Sequence, residues 1–325
     1  MSSEQYYEEG LNYFKERKYK EAIESFDKVI ELAPNNSNAY YNRGVSKENL
    51  GQYKEAIKDY DKAIELNPND IDSYNNRGIA KYNLGQYEEA IKDYDKAIEL
   101  HPNDSDSYNN RGIAKKNLGQ YEESIKDYDK AIELNPNYSN VYNNRGIAKY
   151  NLGQYEEAIK DYDKAIELNP NDSDSYNNRG IAKKNLGQYE EAIKDYDKAI
   201  ELNPNYSNAY NNRGIAKKYL GQYEEAIKDY DKTIELDPND SNAYNNRGLA
   251  KGNLGQYKEA IKDFDKSIEL NPSYSDVYNN RGVSKENLGQ YKDALKDYKK
   301  ALELDPNNNI ARKNIQDIQN QYGLR

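Results

Sequence analysis

The sequence has 325 residues, of which 36% are hydrophobic and 32% are charged, and its formal net charge is −10. The acidic balance argues against nucleic acid or an anionic membrane as the main partner, and the lack of cysteine excludes disulfides and thiolate metal sites. No apolar run approaches the roughly 20 residues that span a bilayer, and the N-terminus lacks the apolar segment of a signal peptide, so we expect a cytoplasmic protein.

A 34-residue period organises the sequence, and all nine prolines recur at this interval. Two rows of glycines share the period, one starting at Gly10 and the other at Gly51, with Arg17 in the second row's place in the first unit. A repeat of this length is typical of a solenoid, a propeller or an array. The predicted units are 3–36, 37–70, 71–104, 105–138, 139–172, 173–206, 207–240, 241–274 and 275–308.

Each unit is predicted to form two helices. In the fourth unit the first helix is expected from about Ser107 to Leu118, and Gly119 then supplies a helix stop. The second is expected from about Tyr121 to Leu134, where apolar residues recur at helical spacing. Pro136 ends it, because the residue before a proline is disfavoured in the α region. Asn, Asp and Ser residues around each junction are predicted to cap the next helix.

The units resemble tetratricopeptide repeats (TPR). The resemblance is carried by the period, by Tyr108 with Gly112 four residues later, by the "GQYEE" turn, and by Tyr128, Ala131 and Pro136 in the second helix. It covers residues 3–308 and implies an all-α fold, a right-handed superhelix of antiparallel helix pairs (a TPR solenoid). First helices would line the concave face and second helices the convex face.

The segment 309–325 carries apolar residues at helical spacing and resembles the extra helix that closes such arrays. A final repeat without a neighbour would otherwise expose its stacking face. We therefore predict one TPR solenoid domain over residues 1–325, with 309–325 as the capping helix.

Two rows depart from the TPR pattern. Arginines from Arg43 to Arg281 stand where the family usually has leucine, and lysines from Lys47 onward stand where it usually has an aromatic residue. A buried guanidinium needs partners, and each "KDYDK" offers candidates, such as Asp59, Tyr60 and Asp61. We predict an Arg–Asp/Tyr ladder between neighbouring helices; the alternative is that these arginines contact a ligand.

The second Asn of each "NNRG" is the main candidate for binding. The resemblance implies that this place faces the concave groove, where some TPR superhelices carry an asparagine ladder. A side-chain amide offers a donor and an acceptor, so it can pair with the backbone of an extended ligand without selecting its sequence. The first Asn of each pair adds a second polar row. The alternative is that Asn is simply common in this chain.

The place four residues after the first-helix glycine varies most between units, and we call it the variable row. The resemblance puts it near the concave face, where it either tunes specificity or is an unconstrained surface position. The variable row consists of Glu48, Tyr82, Lys116, Tyr150, Lys184, Lys218, Gly252 and Glu286. The predicted groove residues are Asn42, Asn76, Asn110, Asn144, Asn178, Asn212, Asn246, Asn280, Tyr82, Lys116, Tyr150 and Lys184.

No pattern of an enzyme stands out. The single histidine, His101, replaces Asn or Asp in a junction and is expected on the surface. No glycine-rich phosphate loop or nucleophile elbow is present, and we expect no cofactor or metal. The chain is predicted to be a non-catalytic protein–protein interaction scaffold that binds an extended peptide or a partner helix in the concave groove. The alternative is a structural spacer or a self-assembling superhelix without a dedicated peptide ligand.

Overall fold

The computed structural model describes residues 1–323, which form nineteen α-helices and no strand. The first helix of each repeat is called an A helix and the second a B helix. The helices of repeats 1–5 are α1 Ser3–Lys15, α2 Tyr19–Leu32, α3 Ser37–Asn49, α4 Tyr53–Leu66, α5 Ile71–Asn83, α6 Tyr87–Leu100, α7 Ser105–Asn117, α8 Tyr121–Leu134, α9 Ser139–Asn151 and α10 Tyr155–Leu168. Those that follow are α11 Ser173–Asn185, α12 Tyr189–Leu202, α13 Ser207–Tyr219, α14 Tyr223–Leu236, α15 Ser241–Asn253, α16 Tyr257–Leu270, α17 Ser275–Asn287, α18 Tyr291–Leu304 and α19 Asn309–Tyr322.

The chain divides into two compact units. One spans Met1–Asn169 with α1–α10, and the other starts at Pro170 and contains α11–α19. Within each unit an A helix packs against the B helix of its own repeat and against the B helix before it. Consecutive A helices also contact one another, so they form a continuous surface that we call the A-helix face. The prediction of one domain stays a prediction, and residues 324–325 of the predicted capping helix lie outside the described residues.

A glycine in the left-handed conformation ends each A helix from repeat 2 to repeat 9. In repeat 4, Gly119 has φ +75°, its N–H donates to the Lys116 carbonyl at 3.0 Å, and the Gln120 N–H donates to the Lys115 carbonyl at 3.0 Å. These two bonds form a Schellman motif, which satisfies carbonyls at the helix end. In repeat 1 Arg17 takes this role with φ 60°.

Some A helices start with a side-chain cap and others do not. Asp104 accepts a hydrogen bond from the Ser107 N–H at 3.1 Å, which is why α7 begins at Ser105, two residues before the predicted start. Asn36, Asp172, Asp240 and Asn308 also accept cap bonds. No side-chain cap forms at Asp70 or at the three junctions where the capping position is a tyrosine, so the prediction of a polar cap is wrong there: Asp70, Tyr138, Tyr206 and Tyr274.

The core repeats one aromatic–glycine contact. The ring of Tyr128 on α8 is fully buried and lies against Gly112 on α7, where an added Cβ would come within 2.7 Å of the ring. The A helix therefore needs a residue without a side chain at this place so that the two helices can approach. The other repeats repeat the contact with Phe26, Tyr60, Tyr94, Tyr162, Tyr196, Tyr230, Phe264 and Tyr298.

Substitution by alanine should change the free energy of unfolding in opposite directions at two helical glycines. At Gly146 a Cβ would meet the Tyr162 ring at 2.6 Å, whereas at Gly252 the nearest atom would be the Ser284 Oγ at 3.9 Å. We expect Gly146→Ala to lower the free energy of unfolding by about 1–3 kcal/mol through overpacking. Gly252→Ala should raise it by about 0.5–1 kcal/mol, because alanine favours the helix. Urea titration followed by circular dichroism measures both, and equal effects would refute the packing role of the core glycines.

Candidate functional site

A bridging arginine joins three helices in repeats 2–5 and in repeats 7–9. Arg77 on α5 donates from Nε and Nη2 to both carboxylate oxygens of Asp93 on α6, at 3.0 and 2.6 Å. Its Nη1 donates to Asp61 Oδ1 on α4, in the preceding repeat, at 2.6 Å. Burial alone would lower the pKa of Arg77, but the hydrogen bonds and charges of these two aspartates outweigh it and raise the pKa above its ordinary value.

A lysine completes this charge network. Lys81 Nζ lies 2.7 Å from Asp93 Oδ2, so the buried carboxylate meets two cations. The side chain of Asp93 is 5% exposed while that of Asp61 is 55% exposed, so desolvation falls mainly on Asp93, Arg77 and Lys81. Two positive and two negative groups leave the set neutral, which limits the penalty of burying it. We call its repetition within each unit the ion-pair ladder.

The predicted Arg–Asp ladder is confirmed, but its tyrosine partner was wrong. The tyrosine of "KDYDK" packs against the core glycine, and in repeat 2 the Tyr60 hydroxyl donates to Glu48 at 2.7 Å. Arg43 lies instead over the ring of Tyr40, three residues earlier on the same helix. The guanidinium carbon is 5.4 Å from the ring centroid. Residues three apart share a helix face, so this cation–π contact is local.

The first and last rungs of the ladder differ from the others. In repeat 1 the arginine place holds Glu9, which accepts from Ser25 at 3.3 Å. In repeat 9 the exposed aspartate is replaced by Lys299, and the helix that follows carries Ile315 at the arginine place. At Glu9 and at Lys299 the charge that the bridge uses elsewhere is replaced by one of opposite sign. The arginines therefore serve the scaffold, and the ligand-contact alternative is not favoured.

The second asparagines of "NNRG" form a row of hydrogen bonds between A helices. Their side-chain N–H groups donate to the side-chain oxygen of the first asparagine in the preceding repeat, which lies 35 residues earlier in the sequence. We call this row the asparagine ladder. Bonds of this kind, 3.0–3.3 Å long, run from Asn144 to Asn109, Asn212 to Asn177, Asn246 to Asn211, Asn280 to Asn245 and Asn314 to Asn279.

Tyrosine replaces the acceptor at the start of the ladder. Asn42 donates to the Tyr7 hydroxyl at 2.9 Å, and Asn76 donates to the Tyr41 hydroxyl at 2.8 Å. Burial, with the charge of Asp72, raises the pKa of Tyr41 to about 12, and the bond from Asn76 partly opposes this shift. The hydroxyl therefore remains protonated at neutral pH and accepts through its lone pairs.

The remaining predicted groove residues are half-buried on A helices. Asn110 accepts from Asn109 at 3.4 Å, and Asn178 takes part in a polar interaction. Lys116 reaches Asn144 Oδ1 at 3.5 Å, so a variable-row side chain touches the asparagine ladder. Tyr82 accepts from Asn117 at 2.6 Å. Tyr150 packs on Tyr155, with ring centroids 5.3 Å apart, and Lys184 lies on α11.

Sequence reasoning missed the role of the first asparagines. The predicted second polar row is present only in part: Asn75, Asn143 and Asn211 are half-buried. The other four are at most 8% exposed and accept the ladder bonds within the fold: Asn109, Asn177, Asn245 and Asn279. The available signal was the regular doubling of asparagine at two adjacent places, one of which must turn inward on a helix.

Eight tetratricopeptide repeats match a family model at residues 37–70, 71–104, 105–138, 139–172, 173–206, 207–240, 241–274 and 275–308, and a second TPR model matches 10–51. The chain belongs to the tetratricopeptide repeat family. A sequence search of curated proteins gives no match.

Solved TPR structures share this architecture. The Cut9–Hcn1 hetero-tetramer of APC/C is 14% identical, with a TM-score of 0.62 over 97% of this chain and 76% of that chain. A TPR protein from Parabacteroides merdae ATCC 43184 is 22% identical, with a TM-score of 0.60 over 77% and 98%. YrrB, a TPR protein with an unusual peptide-binding site, is 26% identical, with a TM-score of 0.50 over 58% and 97%. The predicted fold class, an all-α TPR superhelix, is confirmed.

TPR proteins are generally non-catalytic interaction scaffolds. Across residues 1–323 of this TPR protein, no helix combines the length and the apolar character needed to cross a membrane. The same residues contain no cluster of three His, Asp or Glu side chains placed to hold a metal ion.

Breaking one rung of the ion-pair ladder should destabilise the TPR fold strongly. Arg145→Leu leaves the buried Asp161 with Lys149 as its one cation, since both Arg145 bonds to it are lost. We expect the free energy of unfolding to fall by about 3 kcal/mol or more. Asp129→Ala removes the exposed end of the same bridge and should cost less than about 1 kcal/mol.

Chemical denaturation of both variants checks this difference. Comparable losses for the two would show that the buried carboxylate does not dominate the rung. A lost ligand affinity with an unchanged unfolding midpoint for Arg145→Leu would assign the arginine to binding instead.

Proposed function

We propose that this TPR protein is a non-catalytic adaptor that holds an extended peptide, or an extended segment of a partner protein, along its A-helix face. The observation that carries the proposal is the asparagine ladder, a regular row of half-buried amides on consecutive A helices. The net charge of −10 disfavours nucleic acid and anionic membranes as alternatives.

The ladder orients each amide and leaves part of it available. Asn212, Asn246 and Asn280 each use one N–H in the bond to the preceding repeat. An amide has two N–H donors and an acceptor oxygen with two lone pairs. Each of these residues therefore retains an N–H and an oxygen with which to pair a peptide group. Because the ladder bond holds the side chain in place, little rotamer entropy is lost when a ligand binds.

Backbone pairing explains why the row is uniform while the variable row is not. An extended peptide presents one N–H and one carbonyl per residue whatever its sequence, so identical amides suit every position. Side-chain selectivity would then come from the variable row, whose members differ in charge and size. The peptide-binding site of YrrB, which is 26% identical to this chain, supports an interaction role of this class.

Removing ladder amides should weaken peptide binding with little dependence on peptide sequence. The test uses peptides selected from a random phage-displayed library on the full chain, then synthesised with a fluorescent label. For Asn212→Ala/Asn246→Ala/Asn280→Ala we expect every selected peptide to lose at least about tenfold in affinity, since each lost hydrogen bond contributes about 0.5–1.5 kcal/mol. Fluorescence anisotropy measures the Kd.

The matched control changes three exposed asparagines in the B-to-A loops, Asn205→Ala/Asn239→Ala/Asn307→Ala, and should bind as the unchanged chain does. Thermal melting verifies that both triple variants are folded. Unaltered affinity in the ladder variant would contradict backbone pairing. A chain that selects no peptide and associates with itself in light scattering would favour the structural alternative.

A further inference from the structure

Gly252 is a glycine that the fold does not require. Every other glycine within residues 1–323 either has a positive φ or faces an aromatic ring that a Cβ would strike. Gly252 lies inside helix α15, where a Cβ would make only an ordinary contact with the Ser284 Oγ at 3.9 Å. Glycine in a helix interior is unfavourable by roughly 0.5–1 kcal/mol relative to alanine. A locally unfavourable residue with no structural reason marks a functional position.

A pocket of about 260 Å³ lies beside Gly252 on the A-helix face, between α15 and α17. Its lining combines apolar side chains with a serine and three asparagines: Leu249, Tyr257, Phe264, Val283, Ser284, Asn253, Asn280 and Asn287. We call it the Gly252 notch. Small-molecule sites are usually about 300–1,000 Å³, so the notch is sized for one side chain.

The floor of the notch is apolar where other repeats are polar. In repeats 2 and 9 the variable row supplies a glutamate that accepts from the core tyrosine, as Glu286 does from Tyr298 at 2.6 Å. In repeat 8 both partners are altered together, since Phe264 has no hydroxyl and Gly252 has no side chain. The pair that forms this hydrogen bond in repeats 2 and 9 is therefore absent here, and the rings and aliphatic side chains of Phe264, Leu249 and Val283 favour an apolar occupant.

The two preceding members of the variable row are cations without a counter-charge. Lys183 and Lys217 pair with buried aspartates, but within the described residues no carboxylate acts on Lys184 or Lys218. Both side chains are half-buried. Burial lowers the pKa of each, and the charge of Lys218 lowers the pKa of Lys184 further. An anionic ligand group would relieve this repulsion and supply the missing counter-charge.

A buried hydroxyl below this pair also lacks an acceptor. Tyr230 is fully buried and its Oη has no hydrogen-bond partner in residues 1–323. In repeat 2 the equivalent hydroxyl, that of Tyr60, is satisfied by the carboxylate of Glu48. In repeat 7 the variable row supplies Lys218 in place of that carboxylate, so the chain provides no anionic group on this side of the A helix.

We infer that the A-helix face of residues 170–323 selects peptides that carry an acidic side chain for Lys184 and Lys218 and, next along the groove, a bulky apolar side chain for the Gly252 notch. The positions follow one another on α11, α13 and α15, so a single extended peptide meets the cations and then the notch. This inference rests on the proposed peptide-binding function and specifies its ligand.

The experiment compares peptides selected from a random phage-displayed library on the full chain. We expect enrichment of sequences that combine Asp or Glu with Leu, Phe or Trp a few residues away. Gly252→Lys fills the notch, and Lys184→Glu/Lys218→Glu reverses the charge. Each should weaken binding of the selected acidic–apolar peptides by at least about tenfold.

Two controls keep the outcome specific. Lys occupies the place of Gly252 in repeats 4, 6 and 7, so Gly252→Lys is compatible with the fold, as thermal melting will verify. Lys194→Glu/Lys262→Glu makes the same charge change on B-helix positions away from the A-helix face and should leave the Kd within about twofold.

The possible failures are distinguishable. Selected peptides that bind both variants as well as the unchanged chain overturn this inference while the groove function stands. Enrichment of basic or purely polar peptides also overturns it. If the folded chain selects no peptide at all, the inference and the proposed function both fail.

Discussion

The buried aspartate of each rung is the constraint on which the rest of this solenoid depends. A carboxylate removed from water must be compensated by cations in good geometry, and in repeat 3 Asp93 has Arg77 on both oxygens and Lys81 on one. Because that arginine also reaches Asp61 of the preceding repeat, satisfying one buried charge sets the position of three helices. Each repeat within a unit is thus tied to its neighbour by charge as well as by apolar packing.

The ladder also determines where the candidate site lies. Successive residues of an α-helix are rotated by about 100°, so holding Arg145 against the B helices turns Asn144, the preceding residue, toward the adjoining A helix. There its amide bonds to Asn109. Gly146, the residue after the arginine, meets the Tyr162 ring. Three consecutive residues of "NNRG" therefore face three different surroundings: the second asparagine faces the adjoining A helix, the arginine the charge network and the glycine the core.

The repeats differ mainly at the variable row, because the ladders are nearly uniform, and in the proposed function this row would supply selectivity. Some of its members are coupled to the core beneath them. Glutamate accompanies a tyrosine hydroxyl that needs an acceptor, and glycine accompanies Phe264. A change in the variable row is thus matched by the aromatic residue of the core beneath it. Individual repeats can therefore differ on the A-helix face while the packing of the core is kept.

Much of the local structure was predictable because it depends on near neighbours. The helix α8 has the predicted bounds, Tyr121–Leu134, since apolar spacing, Gly119 and Pro136 all act within a few residues. The Arg–Asp pairing was predictable from the cost of burying a guanidinium. The tyrosine partner of Arg43 was assigned to Tyr60 and is Tyr40, because charge complementarity does not specify which ring a side chain crosses.

The sequence by itself determined the repeat length, the helix pairs, the family and the need for partners at each buried charge, because periodicity and desolvation are properties of the chain. Only the tertiary structure decided in which repeats the first asparagine turns inward, that Lys184 and Lys218 lack counter-charges, and that a pocket lies beside Gly252. These features depend on contacts between residues of different helices, such as the asparagines 35 places apart in the asparagine ladder, and such contacts are set by how whole helices pack rather than by local preference.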